Sequence, residues 1–210
     1  MRARDEQSRD HCHPDKVEQR VSGGHVQVIG SIDGGLKDLP AHGTRFARMS
    51  AFDVLLDDER AQLEAFVEDY RAAIEATLDG LTEEQARRRL VPSATTLLGL
   101  LKHVTWMQRV WFEECVGGTS RSELGLVPTP DECFRLSDDE TIASVRAAYR
   151  DACATARTAV AGLPLDTVVT GHRAGPRTVR WVYLQVLREL AQHCGHADIL
   201  REQVLADSVQ

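Results

Sequence analysis

The sequence has few aromatic residues, no CxxC pair and no long apolar run, and each absence excludes a class of protein. Aromatic residues make up only 5% of the 210 positions. No apolar run approaches the roughly 18–20 residues that a membrane span needs, and the N-terminus lacks the apolar core of a secretory signal. The five cysteines are odd in number and widely spaced, which argues against a disulfide scaffold. We therefore expect a cytoplasmic protein without membrane contact.

Charge and motif content exclude further functions. The formal net charge is −7 and the pI is about 5.6, so electrostatics gives no reason to expect nucleic-acid binding. The sequence contains no glycine-rich phosphate loop after a strand, no GxSxG and no HExxH. A hydrophobic share of 42% is enough for a packed core in a chain of this length. A small molecule is the expected partner.

Residues 1–50 differ in composition from the rest of the chain. They are rich in glycine, histidine and charge and show no core-forming pattern. We expect a poorly ordered N-terminal extension, followed by a domain over residues 51–210. Met49 is a candidate initiator at this boundary. The triplet His11-Cys12-His13 resembles a metal-binding fragment, although a disordered segment without function is the favoured interpretation.

Apolar spacing predicts an all-α fold with four long helices. The first helix is expected over Asp57–Leu78 and the second from Thr95 or Thr96 to Cys115. The third follows a capping box that begins at Ser137, and this helix ends near Ala161. The fourth covers Thr178–Val204. Predicted inward positions include Leu63, Phe66, Val67, Tyr70, Ile74 and Leu78 in the first helix; Leu97, Leu100, Leu101, Val104 and Trp111 in the second; Ile142, Val145, Ala148 or Tyr149, Ala152 and Ala156 in the third; and Val179, Val182, Val186, Leu187, Leu190, Ile199 and Leu200 in the fourth. A second capping box opens a short helix at Thr82. Residues 119–136 form a long crossover, and Thr167–Thr170 is a candidate short strand. The pattern is typical of a four-helix bundle with long crossover connections.

The last helix carries three side chains that suit a divalent metal. Glu189 and His193 are four residues apart and His196 follows three later, so all three share one helix face. A carboxylate and two imidazoles suit zinc, although surface helices also carry such residues by chance. Cys194 should point about 100° away from this face, so we do not expect it to be a nucleophile.

His103 is the outside residue that could complete the site. It lies beside Leu100 and Met107 at helical spacing and should face the edge of the core. A buried histidine needs a partner for its ring nitrogens. A metal, a carbonyl or a carboxylate would each serve, and the spacing leaves all three open. One hypothesis is therefore a metal held between the second and fourth long helices.

Two segments resemble a known family. LVPSATTLLGLLKHVTWMQRVWF and WVYLQVLRELAQHCGHADILRE are similar to the DinB-like superfamily, closest to the uncharacterised actinobacterial mini-circle-protein branch. The resemblance covers about residues 52–204. It implies a four-helix bundle with one divalent metal bound by His103, Glu189 and His193. Glutamate at the first position of the last pair departs from the commoner histidine but matches the related mycothiol-dependent maleylpyruvate isomerases. His196 has no counterpart and is a candidate fourth ligand, a replacement for Glu189, or a group that orients the ligands or transfers protons.

The resemblance also implies a chemistry. Several relatives are metal-dependent transferases or isomerases that use a low-molecular-weight thiol such as mycothiol, bacillithiol or glutathione. We expect a thiol S-transferase or isomerase that acts on a small electrophile, with zinc as the first candidate metal and nickel, manganese or iron as alternatives. The competing hypotheses are a non-catalytic metal-binding bundle with a stress or binding role and a metal-dependent hydrolase. The oligomeric state stays open, with a homodimer as one alternative because apolar bundle faces commonly support dimers.

Overall fold

The structure, a computed structural model, describes residues 50–206, and its main elements are four long helices. The helices, including one short one, are α1 (Glu59–Ala76), α2 (Glu83–Arg87), α3 (Leu97–Arg109), α4 (Ile142–Val160) and α5 (Val179–Ala206). Strands β1 (Val168–Val169) and β2 (Arg177–Thr178) pair antiparallel. The predicted all-α bundle and the short strand near residue 168 are confirmed. The expectations for His11-Cys12-His13, Met49 and the rest of the N-terminal extension concern residues outside the described range.

Side-chain caps fix where the first three helices begin. Asp58 caps α1 and accepts a hydrogen bond from the backbone of Ala61 at 3.0 Å. Thr82 forms the predicted capping box with Gln85 at the start of α2. Thr96 caps α3, which agrees with one of the two predicted starts of this helix. These caps satisfy backbone N–H groups that have no partner within the helix.

The predicted start of α4 is wrong by several residues. The helix is capped by Thr141, whose side chain accepts from the backbone of Ser144 at 3.1 Å. The pattern at Ser137 instead forms a turn, in which the Ser137 amide donates to the Glu140 carboxylate at 2.8 Å. Glu140 therefore stabilises the approach to the helix and not its first turn. The sequence contains two consecutive capping signals, Ser137–Glu140 and Thr141–Ser144, and spacing alone does not rank them.

The core lies between the four long helices. α1 packs against α5, and α3 packs against both α4 and α5. Most predicted inward positions are buried, and in α4 the inward residue is Tyr149 and not Ala148. Two predictions are wrong, because Phe66 is 46% exposed and Ile199 is 58% exposed. Both residues lie at the edge of an apolar stripe, where the direction of the packing partner decides burial.

A buried polar network also joins α1, α3 and α4. The Arg71 side chain is 6% exposed and donates to Glu68 at 2.7 Å and to Gln108 at 2.5 Å. The Tyr149 hydroxyl donates to the Arg71 carbonyl at 2.9 Å. A buried cation is tolerated only when it is paired and hydrogen-bonded, so these contacts tie the register of the three helices together.

Helix α3 continues without a break into a π-helix, Val110–Val116. Phe112 is 1% exposed in the core, whereas Trp111 is partly buried and packs against the edge of the core. The π-helix turns Trp111 toward the loop that precedes β2. Such segments often occur at functional sites. None of the helices within residues 50–206 is long and apolar enough to cross a bilayer.

Candidate metal centre

Helix α5 places Glu189 and His193 one turn apart on the same face. Their Oε2 and Nε2 atoms lie 3.5 Å apart. Two ligand atoms at about 2.1 Å from one ion, arranged tetrahedrally, would lie roughly 3.4 Å apart. The helix alone therefore sets these two side chains at a separation that suits a shared metal.

His103 reaches the same point from α3. Its side chain is 6% exposed, and its ring centroid lies 4.6 Å from that of His193. One ligand atom from each of His103, Glu189 and His193 lies within 4.8 Å of the others. Within residues 50–206 this is the group of histidine, cysteine and acidic side chains whose spacing could hold a metal ion. The structure thus brings together the three residues proposed from the sequence.

The protonation states of His103 and Glu189 favour a cation. Burial, with a smaller contribution from nearby His193, lowers the pKa of His103 to about 4. The imidazole is therefore neutral at pH 7 and keeps the lone pair that a metal needs. The hydrogen bond with His193 and the charge of Arg188 hold the pKa of Glu189 below its usual value. Glu189 is consequently an anion at neutral pH.

The contacts of Glu189 and His193 leave donor atoms available for the ion. Glu189 Oε1 accepts from Gln185 at 2.9 Å and from Arg188 at 2.7 Å, which orients Oε2 toward His193. The Nδ1 atom of His193 is buried and has no hydrogen-bond partner among the described residues. An unpartnered buried nitrogen is costly, and an ion bound at Nδ1 would satisfy it, whereas an ion bound at Nε2 would leave it without a partner. One carboxylate and two imidazoles are a donor set that zinc accepts.

On its other side, His103 contacts the crossover between α3 and α4. Its Nδ1 atom lies 3.0 Å from the Sγ of Cys133, which itself donates to the Pro130 carbonyl at 2.7 Å. The ring of Phe134 stacks on the imidazole with a centroid distance of 4.2 Å. Burial raises the pKa of Cys133 to about 12, so its sulfur is a thiol at neutral pH. Sequence reasoning missed Cys133 and Phe134, because the crossover has no helical or strand period to align them with His103.

A cavity of about 220 Å³ opens onto the group of three residues. His103 and Glu189 lie in its wall, so an ion held by them would face this space. Its other lining residues are partly apolar or aromatic and partly polar: Trp106, Met107, Val110, Trp111, Pro130, Arg121, His172, Arg173 and Gln185. The mixture suits a small, partly polar ligand.

The loop before β2 forms one rim of this cavity. His172 stacks on Trp111 with ring centroids 4.8 Å apart. The Arg177 guanidinium lies 5.2 Å from the Trp111 ring centroid and 4.7 Å from that of Trp181. Gly171 allows this packing, since its amide donates to the Cys115 carbonyl at 3.2 Å and no side chain separates the two backbones.

A buried ion pair supports the floor of the cavity. Arg121 binds Glu114 of the π-helix at 2.8 Å, and the two side chains are 14% and 8% exposed. The same guanidinium lies 5.2 Å from the centroid of the Trp106 ring. Because Arg121 also donates to the Pro128 carbonyl at 3.0 Å, most of its donors are used in holding the crossover in place.

His196 and Cys194 take positions outside the group. His196 is exposed, and its ring centroid lies 5.7 Å from that of His193. It does not belong to the set whose ligand atoms lie within 4.8 Å of one another. Cys194 points toward α1, where its sulfur lies 3.6 Å from the Tyr70 carbonyl, and burial raises its pKa to about 11. The expectation that Cys194 turns away from the ligand face is confirmed.

Comparison with known proteins adds one finding to this geometry. A family model described as mycothiol-S-transferase matches residues 62–206, which is more than half of the chain and includes all three residues of the group. No curated protein matches the chain.

Proposed function

The chain belongs to the mycothiol-S-transferase family of DinB-like proteins, and we propose that it is a metal-dependent thiol S-transferase or isomerase that acts on a small electrophile. The observation that carries the proposal is the meeting of His103, Glu189 and His193 beside a cavity of about 220 Å³, whose wall contains His103 and Glu189. A purely structural metal would need no adjoining cavity. A catalytic metal keeps an open position that a ligand can reach.

His103, Glu189 and His193 would hold the ion. Zinc is the first candidate because its borderline-soft character suits mixed nitrogen and oxygen ligands, with nickel, manganese and iron as alternatives. When bound, a divalent cation lowers the pKa of a coordinated thiol so that the thiolate is present at neutral pH. The protein contributes ligand geometry and a cavity that shields the reacting atoms from bulk water.

The chain's own residues then position the two reactants. Trp106 and Trp111 form an aromatic part of the cavity wall, and Arg173 lies in the lining as an exposed cation. In the transfer, the sulfur forms a bond to the electrophilic carbon while the bond from that carbon to its leaving group breaks. The leaving group departs with the electron pair, and the thiol proton passes to a base. Exposed His196, beside His193, is the proposed route for that proton to solvent.

Metal analysis of the full chain tests the first half of the proposal. We expect about one divalent ion per chain in the wild type and loss of that ion in His103→Ala and His193→Ala. His172→Ala is the matched control, because His172 lines the same cavity but lies outside the group of three. A folded wild type that binds no zinc, nickel, manganese or iron after incubation would overturn the proposal.

An activity assay tests the second half. The metal-loaded protein is mixed with a chlorodinitroarene and with mycothiol, bacillithiol or glutathione, and thioether formation is followed by absorbance. We expect turnover with at least one thiol, with His172→Ala retaining its metal and the two ligand variants inactive. Full activity in His103→Ala and His193→Ala would overturn the catalytic role. A closed four-ligand shell that includes His196 would favour the alternative of a structural metal.

A further inference from the structure

We propose that Cys133 is a positioning residue for His103: its sulfur accepts a hydrogen bond from His103 Nδ1 and so reserves Nε2 for the metal. This inference rests on the metal site of the proposed function, and it assigns a role to a crossover residue outside the ligand group. The contact is direct, with His103 Nδ1 3.0 Å from Cys133 Sγ. Both side chains are buried, at 6% and 2% exposure.

The direction of the hydrogen bond follows from counting protons on the thiol. A thiol carries one hydrogen, and Cys133 donates it to the Pro130 carbonyl at 2.7 Å. The sulfur can therefore offer only lone pairs to His103. A neutral imidazole has one N–H, and the contact is favourable when that hydrogen is on Nδ1. Nε2 then keeps its lone pair.

The same segment also fixes the plane of the imidazole. Phe134, the next residue in the 3₁₀ helix Glu132–Phe134, stacks on the ring at 4.2 Å between centroids. Trp106 stacks at 6.1 Å on the same imidazole. A small rotation about χ2 would break the stacking, and a 180° flip, which keeps the ring plane, would break the contact with sulfur. In metal sites, such outer partners set the tautomer and orientation of a histidine ligand.

Substitutions at Cys133 separate a polar contact from simple packing. Cys133→Ser keeps a hydroxyl that can accept from His103 and donate to Pro130, whereas Cys133→Val fills similar space without those functions. Cys153→Val is the matched control, because Cys153 is also buried and also contacts a polar side chain, Gln108, at 3.4 Å. Circular dichroism and urea denaturation would show whether each full-length variant is folded.

Zinc affinity, measured by competition with a chromophoric chelator, is the first readout. We expect Cys133→Ser to bind within about threefold of wild type and Cys133→Val to bind roughly 10–100-fold more weakly, the usual effect of losing an outer partner. Cys153→Val should bind as wild type does. Equal affinities for Cys133→Val and Cys133→Ser would overturn the proposal.

Nitrogen-15 NMR of the metal-free protein gives a second readout that needs no ion. We expect the Nδ1–H tautomer of His103 in the wild type and in Cys133→Ser, and a mixture of tautomers in Cys133→Val. An unchanged tautomer in Cys133→Val would overturn the role of the sulfur. A wild type that binds no zinc would instead overturn the proposed function, while the NMR result would still decide how Cys133 acts on His103.

Discussion

Substitution of Gly171 by alanine would test how the rim of the cavity is held. A Cβ atom built on Gly171 would lie 1.9 Å from the Glu114 carbonyl oxygen and 2.9 Å from that of Cys115. Both oxygens belong to the backbone of the π-helix, which cannot move as a flexible side chain would. Ordinary contact begins at 3.4 Å, so the loop would retreat by about 1.5 Å.

That displacement should affect stability and the cavity in different ways. Overpacking of this size costs about 1–3 kcal/mol, which urea denaturation would report as a lower midpoint. The loop would carry His172 away from Trp111 and open the rim, whereas His103, Glu189 and His193 lie on other elements. We therefore expect the variant to keep its metal but to show a higher KM, since a misplacement of about 1 Å can cost 100-fold in efficiency.

Gly195→Ala is the matched control for this experiment. Gly195 lies in α5 between His193 and His196, and an added Cβ would meet nothing within 4 Å. Alanine there should leave the free energy of unfolding unchanged or raise it by up to about 1 kcal/mol through its better helix propensity. The reasoning would be refuted if Gly171→Ala had the stability and KM of the wild type.

Two further predictions concern a proton and a buried charge. His196→Asn should keep its metal but lower kcat, because the proposed route of the proton to solvent is lost. Loss of the metal in this variant would instead make His196 a ligand. The buried charge is Glu68: burial alone would raise its pKa, but Arg157 and Arg71 hold that pKa below its usual value. The stability that Glu68 contributes is therefore present above about pH 4.5 and is lost as the pH falls through the folded pKa. Glu68→Gln should lower the free energy of unfolding by about 2–3 kcal/mol at pH 7. Breaking a fully buried ion pair costs about 3–5 kcal/mol, and the loss is smaller here because Glu68 is partly exposed. Its difference from wild type in urea denaturation should shrink below pH 4.5, and a difference independent of pH would contradict the argument.

The helices could be predicted from the sequence because their signals are local. Thr82 and Thr96 cap the helices that follow them, and the spacing of apolar residues gave most of the buried positions. Phe66 and Ile199 were assigned to the core wrongly, because a stripe edge has no local signal for the direction of its packing partner. The π-helix was also missed, since an extra residue in one turn leaves the apolar pattern of α3 almost unchanged.

The candidate site likewise combines a part that the sequence predicted and parts that it did not. Glu189 and His193 are neighbours on one helix face because of helix geometry, so spacing alone predicted that they lie together, as their 3.5 Å contact shows. The approach of His103 depends on how α3 and α5 pack, which the sequence specifies only through the resemblance to a family. Cys133 could not be predicted at all, because it reaches His103 from an irregular segment across 30 positions of the chain.

Ring orientation explains why the connections matter to this site as much as the bundle does. Helix packing fixes the Cα and Cβ positions of His103, but the χ2 torsion of histidine is broad and does not define where Nε2 points. Contacts from outside the helix must define it, and here Cys133 and Phe134 of the crossover provide them. The opposite rim likewise depends on Gly171 in a second connection. Changes in these segments should therefore weaken metal or substrate binding at a smaller cost in stability than changes in the helix core.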